Sequence, residues 1–162
     1  MHEHRTHCSL PFTPDQLFDL VADVERYPEF LPWWVAARVC KRRDNVYYTD
    51  QVLRIATIRR RFGSKTVLER PKRIRVTSTD GPVRNLHLIW SFDPRSDRGC
   101  DVSLEVRLDF RSLLLSDLFA LDMVHAARPI MAAFQAHAYR LYGTPCNSDV
   151  ISDGPGRQID MM

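Results

Sequence analysis

Residues 113–142 read LLLSDLFALDMVHAARPIMAAFQAHAYRLY. Phe119, Met123, Ala127, Ile130, Phe134 and Leu141 recur at spacings of three, four or seven, and Leu114, Leu118 and Leu121 widen the stripe. A helix with such a face must bury it. The preceding chain reads as short helices and strands that need one apolar surface to wrap around, so the partner of this helix is a sheet. Pro129 removes one backbone donor and predicts a kink or weak turn at residues 124–126. Ala126, Ala127, Ala132, Ala133 and Ala136 give the helix little bulk. Either its neighbours approach closely in an ordinary tight core, or room is left beside it; both readings stay open.

Outward from the helix, the clearest strands are its immediate predecessors. Leu86, Leu88, Trp90 and Phe92 alternate with polar residues, and Val102, Leu104, Val106, Leu108 and Phe110 alternate with Ser103, Glu105, Arg107 and Asp109. Each has one dry and one wet face, and the turn at residues 93–99 joins them as a hairpin. Asp80-Gly81-Pro82 is a strong turn signal, extended into a loop by residues 83–85. Strands are expected at residues 35–41, 46–58, 60–69 and 73–79, with turns at 43–45, near Arg59 and at 70–72. In residues 46–58 the polar Asp50, Gln51, Arg54 and Thr57 break the alternation and leave the register open.

At the start, residues 3–10 form a short strand candidate. Thr13-Pro14-Asp15 follows as N-cap, first-turn proline and first-turn acid of a helix of about three turns. That helix ends before Tyr27-Pro28. Residues 27–34, YPEFLPWW, present Tyr27, Phe30, Leu31, Trp33 and Trp34 on a stretch stiffened by two prolines. Five large apolar groups in eight positions exceed what a plain surface loop carries. They plug the end of the core as a packed corner, line a pocket mouth, or meet a membrane interface. The whole is an α+β domain: strand, one or two short helices, about six antiparallel strands and the long helix, with one curved sheet of about seven strands gripping that helix. The domain occupies residues 1–143, and residues 144–162, rich in Pro, Gly, Ser and Asp, read as a disordered tail.

The chain of 162 residues suits one domain with a real core. No run of about 18 apolar residues predicts a membrane span. The polar start carries no apolar signal region, so the expected location is cytoplasmic, with a peripheral place at an inner membrane as the alternative. Cys8, Cys40, Cys100 and Cys146 match no metal spacing and read as reduced thiols, and no metal or cofactor is required. Residues 38–75 hold 13 Lys or Arg against three acids, in a chain of net charge +3. Arg59, Arg60 and Arg61 are the candidate contacts for an anionic surface, whether acidic lipid or RNA, although a solvated outer sheet face gives the same pattern.

Catalytic patterns are absent from the sequence: no Gly-rich phosphate loop, no His-Glu-x-x-His and no Gly-x-Ser-x-Gly occurs. The acids Asp15, Asp19, Asp23, Glu25 and Glu29 suit a solvated face, and His125 and His137 read as structural. No catalytic residue is assigned. An enzyme on this frame would have to draw on Asp50, Arg54, Glu69 or His87. An interior without acid or base favours holding a ligand over transforming it.

FTPDQLFDLVADV at residues 12–24, YPEFLPW at 27–33, DGP at 80–82, Leu86 and WSF at 90–92 together resemble the START-like family that holds the coenzyme-Q-binding proteins and the bacterial RatA ribosome-association toxins. The resemblance covers residues 1–143. It implies a helix-grip fold with an apolar tunnel that binds ubiquinone or a related prenyl lipid in support of respiration. It also implies, as alternatives, a ribosomal-subunit partner or a cyclase-like activity on the same fold. The expected lining is Leu86, Leu88, Trp90, Val106, Met123, Ala127 and Met131, with Tyr27, Phe30, Leu31, Trp33 and Trp34 at the mouth.

Overall fold

A computed structural model describes residues 2–55, 57–81, 83–111 and 113–143, with the side chains of residues 55, 83 and 113–126 outside that description. The expected tail at 144–162 lies outside it as well. Seven strands form one antiparallel sheet in the order β1-β7-β6-β5-β4-β3-β2. They are β1 (His2–Leu10), β2 (Trp34–Arg43), β3 (Val46–Ile55), β4 (Ile58–Glu69), β5 (Arg73–Ser78), β6 (Val83–Pro94) and β7 (Cys100–Phe110). Strands β2 to β7 run as a meander, and β1 adds to β7 over its full length, from His2 opposite Leu108 to Leu10 opposite Cys100.

Between β1 and β2 lie helix α1 (Pro14–Ala22), a 3-10 turn (Val24–Arg26) and the short α2 (Tyr27–Phe30). Thr13 caps α1 as read: its hydroxyl accepts from Gln16 N at 3.2 Å, while the Gln16 side chain accepts from Thr13 N at 3.0 Å. This reciprocal pair satisfies two donors that a helix start otherwise leaves open. The apolar face of α1 brings Leu17, Phe18, Leu20 and Val21 into the core, and Asp15, Asp19 and Asp23 stay exposed. Asp19 pairs with Arg70. Tyr27-Pro28 does not merely end a helix. It starts α2, because proline is tolerated in the first turn, where its missing N–H has no partner to lose.

Helix α3 (Leu113–Tyr142) runs without interruption through Pro129 and lies against β1, β7, α1 and α2. Ala127, Met131, Phe134 and Ala138 are buried on it. Leu141, expected on the buried stripe, is instead exposed, and its neighbour Tyr142 turns inward to donate to Gln16 O at 2.8 Å. Two strand boundaries also move. β3 ends at Ile55 and β4 begins at Ile58, so Arg59 lies within a strand and not at the turn expected there, and β6 begins at Val83, taking in residues expected as loop.

The core joins the aromatic sides of these layers. Phe18 packs edge-on against Phe92 at 5.7 Å with the Arg70 guanidinium over its ring at 4.5 Å, and Phe134 meets Trp90 at 4.9 Å. Because Phe18 is fully buried, Phe18→Ala removes about 3–5 kcal/mol of stability in urea unfolding. Thr13→Ala, which removes only the cap, costs about 1 kcal/mol.

Candidate functional site: an apolar cavity under the long helix

The inner face of the sheet is set by strand parity. On β6 and β7 the pairs Leu88 with Val106 and Trp90 with Leu104 point inward. On β3 and β4 the inward pairs are Tyr47 with Thr66, Thr49 with Ser64 and Gln51 with Phe62. Their outward neighbours include Asp50, exposed Arg54 and Arg61. The concave face is therefore aliphatic and aromatic on one side and carries a polar row on the other.

A cavity of about 110 Å³ lies between this face and α3. The sheet contributes Leu53, Phe62, Ile74, Val76, Leu86, Leu88, Trp90, Leu104 and Val106. The helix side contributes Ala127, Ile130 and Phe134, and the α1–β2 segment contributes Val21, Val24, Tyr27, Leu31 and Trp34. Tyr47, Gln51 and Thr66 complete the wall, which has no charged side chain among the described residues. Ala127 is decisive on the helix side, since its methyl group leaves open what a longer side chain would fill. For scale, an engineered cavity of about 150 Å³ is enough to take benzene.

The polar row is internally satisfied. Trp34 Nε1 donates to Gln51 Oε1 at 2.8 Å, and Gln51 Nε2 donates to Thr49 Oγ1 at 2.8 Å and to Ser64 Oγ at 3.3 Å. Tyr47 OH donates to Ala22 O at 2.9 Å, and Tyr27 OH to Val21 O. Burial pushes the Tyr27 phenol well above its usual range and that of Tyr47 up to about 12, the latter against opposing contributions from Thr66 and Arg42. Both rings are neutral phenols at ordinary pH. The wall thus offers hydrogen-bonding dipoles and no acid or base ready to exchange a proton near neutrality.

Eight residues expected at the site lie in this wall: Tyr27, Leu31, Trp34, Leu86, Leu88, Trp90, Val106 and Ala127. Three do not. Phe30 points instead toward α3, stacked on His137 with ring centres 3.9 Å apart. Met131 is buried toward β1, where Cys8 Sγ lies 3.4 Å from its sulfur. Trp33 stands outside at 39 % exposure because its backbone turns the indole away from the core. The side chain of Met123 lies outside the described residues.

The residues considered for an enzyme lie elsewhere. Asp50 is held by Arg61 on the outer face, Glu69 pairs with Arg75 at 3.6 Å, and His87 and Arg54 are exposed. None lines the cavity. The basic triplet divides: Arg59, Arg60 and Arg61 are all exposed, and Arg61 is engaged by Asp50. Among the described residues no group of His, Cys, Asp and Glu could hold a metal, and no helix is long and apolar enough to cross a membrane.

The sequence reading missed the buried row Thr49, Gln51, Ser64 and Thr66. The signal was present: Asp50 and Arg54 mark the outer parity of β3, which leaves Tyr47, Thr49, Gln51 and Leu53 inside. It also took His137 as structurally ordinary. His137 is only 5 % exposed, and its Nδ1 has no hydrogen-bond partner among the described residues. Burial, then Arg140, lowers its pKa below the usual 6.5; Arg26 adds to this, while Glu29 and Asp23 oppose it. The unfolded chain therefore takes up this proton first on acidification. The contribution of neutral His137 is fully present above about pH 6.5 and is lost as pH falls through the lower folded value. Urea unfolding across that range should show this loss in the parent and not in His137→Phe. Gln51→Leu, which strands the Trp34 N–H and leaves the Thr49 and Ser64 hydroxyls only each other as partners, should cost about 1–3 kcal/mol in the same measurement.

Comparison with known proteins agrees with this architecture. The sequence model of the family described as polyketide cyclase / dehydrase and lipid transport matches residues 10–135. The ribosome association toxin RatA of Pseudomonas aeruginosa is 31 % identical over 83 % of this chain and 93 % of its own length. The mitochondrial coenzyme Q-binding protein COQ10 homolog B of Xenopus laevis is 29 % identical over 83 % of this chain, which spans 57 % of that relative. Among solved structures, the 18 kDa protein CC1736 of Caulobacter crescentus superposes with a TM-score of 0.71 at 32 % identity, covering 89 % of this chain and all of that one. The chain therefore belongs to the polyketide cyclase / dehydrase and lipid transport family, with the START-like helix-grip fold.

Proposed function

We propose that the chain holds a neutral prenylated quinone, ubiquinone or a similar lipid, in the cavity under α3 and acts as its carrier without transforming it. The observation that supports this most directly is the uncharged wall, apolar around most of its circumference and polar only at Gln51, Thr66 and the two phenols. Such a wall suits a ring with a few carbonyl or ether oxygens. A free carboxylate or phosphate would enter without a counter-charge, at high desolvation cost. A coenzyme Q-binding relative adds support. The cavity is smaller than one that takes benzene, so a ring-sized head group would enter only as the wall widens, and a long tail would leave it past α3 or the α2–β2 segment.

Protein purified from its own host should release a neutral lipid into organic solvent, identifiable by mass spectrometry, and should bind added ubiquinone in preference to a fatty acid of equal length. Ala127→Phe, which fills the cavity from the helix side, should abolish both while the protein still melts cooperatively. Absence of any extractable lipid together with no binding of added quinone would overturn the reading.

A second reading is favoured by one specific finding, the RatA relative matched over nearly its full length. On that reading the basic strands β2 to β5 contact a ribosomal subunit. Co-sedimentation with purified subunits that is present at low salt and lost at high salt is the expected result. No co-migration at low salt would reject it.

A further inference from the structure

One end of the cavity is bordered by an exposed rim whose composition differs from the rest of the surface. Arg54 N donates to Trp33 O at 2.7 Å, and the β3–β4 ladder pairs Arg54 with Arg59 and Leu53 with Arg60. Trp33 and the end of the β3–β4 hairpin therefore lie side by side, directly beyond Trp34, Leu53 and Phe62 of the cavity wall. Trp33, Val35 and Ile58 are among the exposed large hydrophobic residues, at 39, 37 and 45 %.

Trp33 adopts φ 70°, the left-handed region that bulky residues rarely occupy. That backbone is strained for a bulky residue, and here it holds an indole at the surface instead of in the core. Residues 53–62 contain four arginines and no acid. Arg61 is engaged by Asp50, which also draws Arg38 to 3.8 Å, while Arg59 and Arg60 join no ion pair among the described residues.

An indole and two aliphatic side chains beside uncompensated guanidinium groups match the layers of an anionic bilayer surface. The indole suits the head-group level, the aliphatic groups the acyl boundary and the arginines the phosphates. A single-stranded RNA would find one ring to stack on, Trp33, since Val35 and Ile58 present none. We infer that this rim docks on an anionic lipid surface and brings the adjoining end of the cavity to the membrane. Its purpose rests on the lipid-carrier reading, but docking and ligand binding are separately measurable.

The full chain is floated with vesicles of phosphatidylcholine alone or with phosphatidylglycerol added. Binding is expected only to the anionic vesicles and should weaken with salt. Arg59→Gln with Arg60→Gln should weaken it roughly thirtyfold. Trp33→Gly, which suits the left-handed backbone, and Ile58→Ser should each weaken it too, with quinone binding unchanged. Equal binding to neutral vesicles, or the arginine pair binding like the parent, overturns the proposal. So does a loss of ribosomal RNA binding in these variants with vesicle binding retained, which assigns the rim to RNA. If vesicle binding follows the variants while no quinone binds, docking stands and the carrier reading falls.

Discussion

One helix cannot cover a seven-stranded concave sheet. Strands stand about 4.8 Å apart, so the face is roughly 30 Å across, whereas a helix with its side chains is about 10–12 Å wide. Here α3 lies toward β1 and β7, at one side of the sheet. The remaining inner face must find other cover. Part of it comes from α1 and the α2–β2 segment, whose Tyr27 sits edge-on to Phe30, Trp34 and Phe134. What these groups do not reach is the cavity. Its existence follows from the geometry of the layers, and its chemistry follows from the inward residues of β3 to β7.

This explains why the polar row is tolerated. Opposite α3, sheet positions meet packed apolar atoms and are apolar. Farther across, on β3 and β4, Thr49, Gln51 and Ser64 bond one another and Trp34 Nε1, so burial leaves none of these donors stranded. A buried polar network that satisfies itself costs far less than isolated groups would. It also gives the cavity wall a direction, greasy on one side and hydrogen-bonding on the other, without introducing charge.

Most of the architecture was legible because it rests on periodicity. The clean alternation of β6 and β7, the Thr13 cap and the apolar face of α3 each depend on local pattern; the structure realises the first two, and the third at Ala127 and Phe134 among the described side chains. The wall was legible where apolar residues mark it, as at Leu88, Trp90 and Val106. It was illegible where inward residues are polar, since Thr49 and Gln51 resemble outward residues until the network that satisfies them is known. Trp33 and Phe30 were misplaced for another reason. In a dense aromatic run, hydropathy shows that burial is needed nearby but not which ring turns in, and at Trp33 a left-handed backbone decides it.

The two buried phenols have a structural consequence. Helix α1 ends at Asp23 without a glycine or a basic residue in its last turn, and Tyr27 and Tyr47 reach its final carbonyls, at Val21 and Ala22. The same two rings stand in the cavity wall. The helix terminus and the chamber thus share a fastening: fraying of α1 and widening of the hollow are one event, and whatever steadies either steadies both.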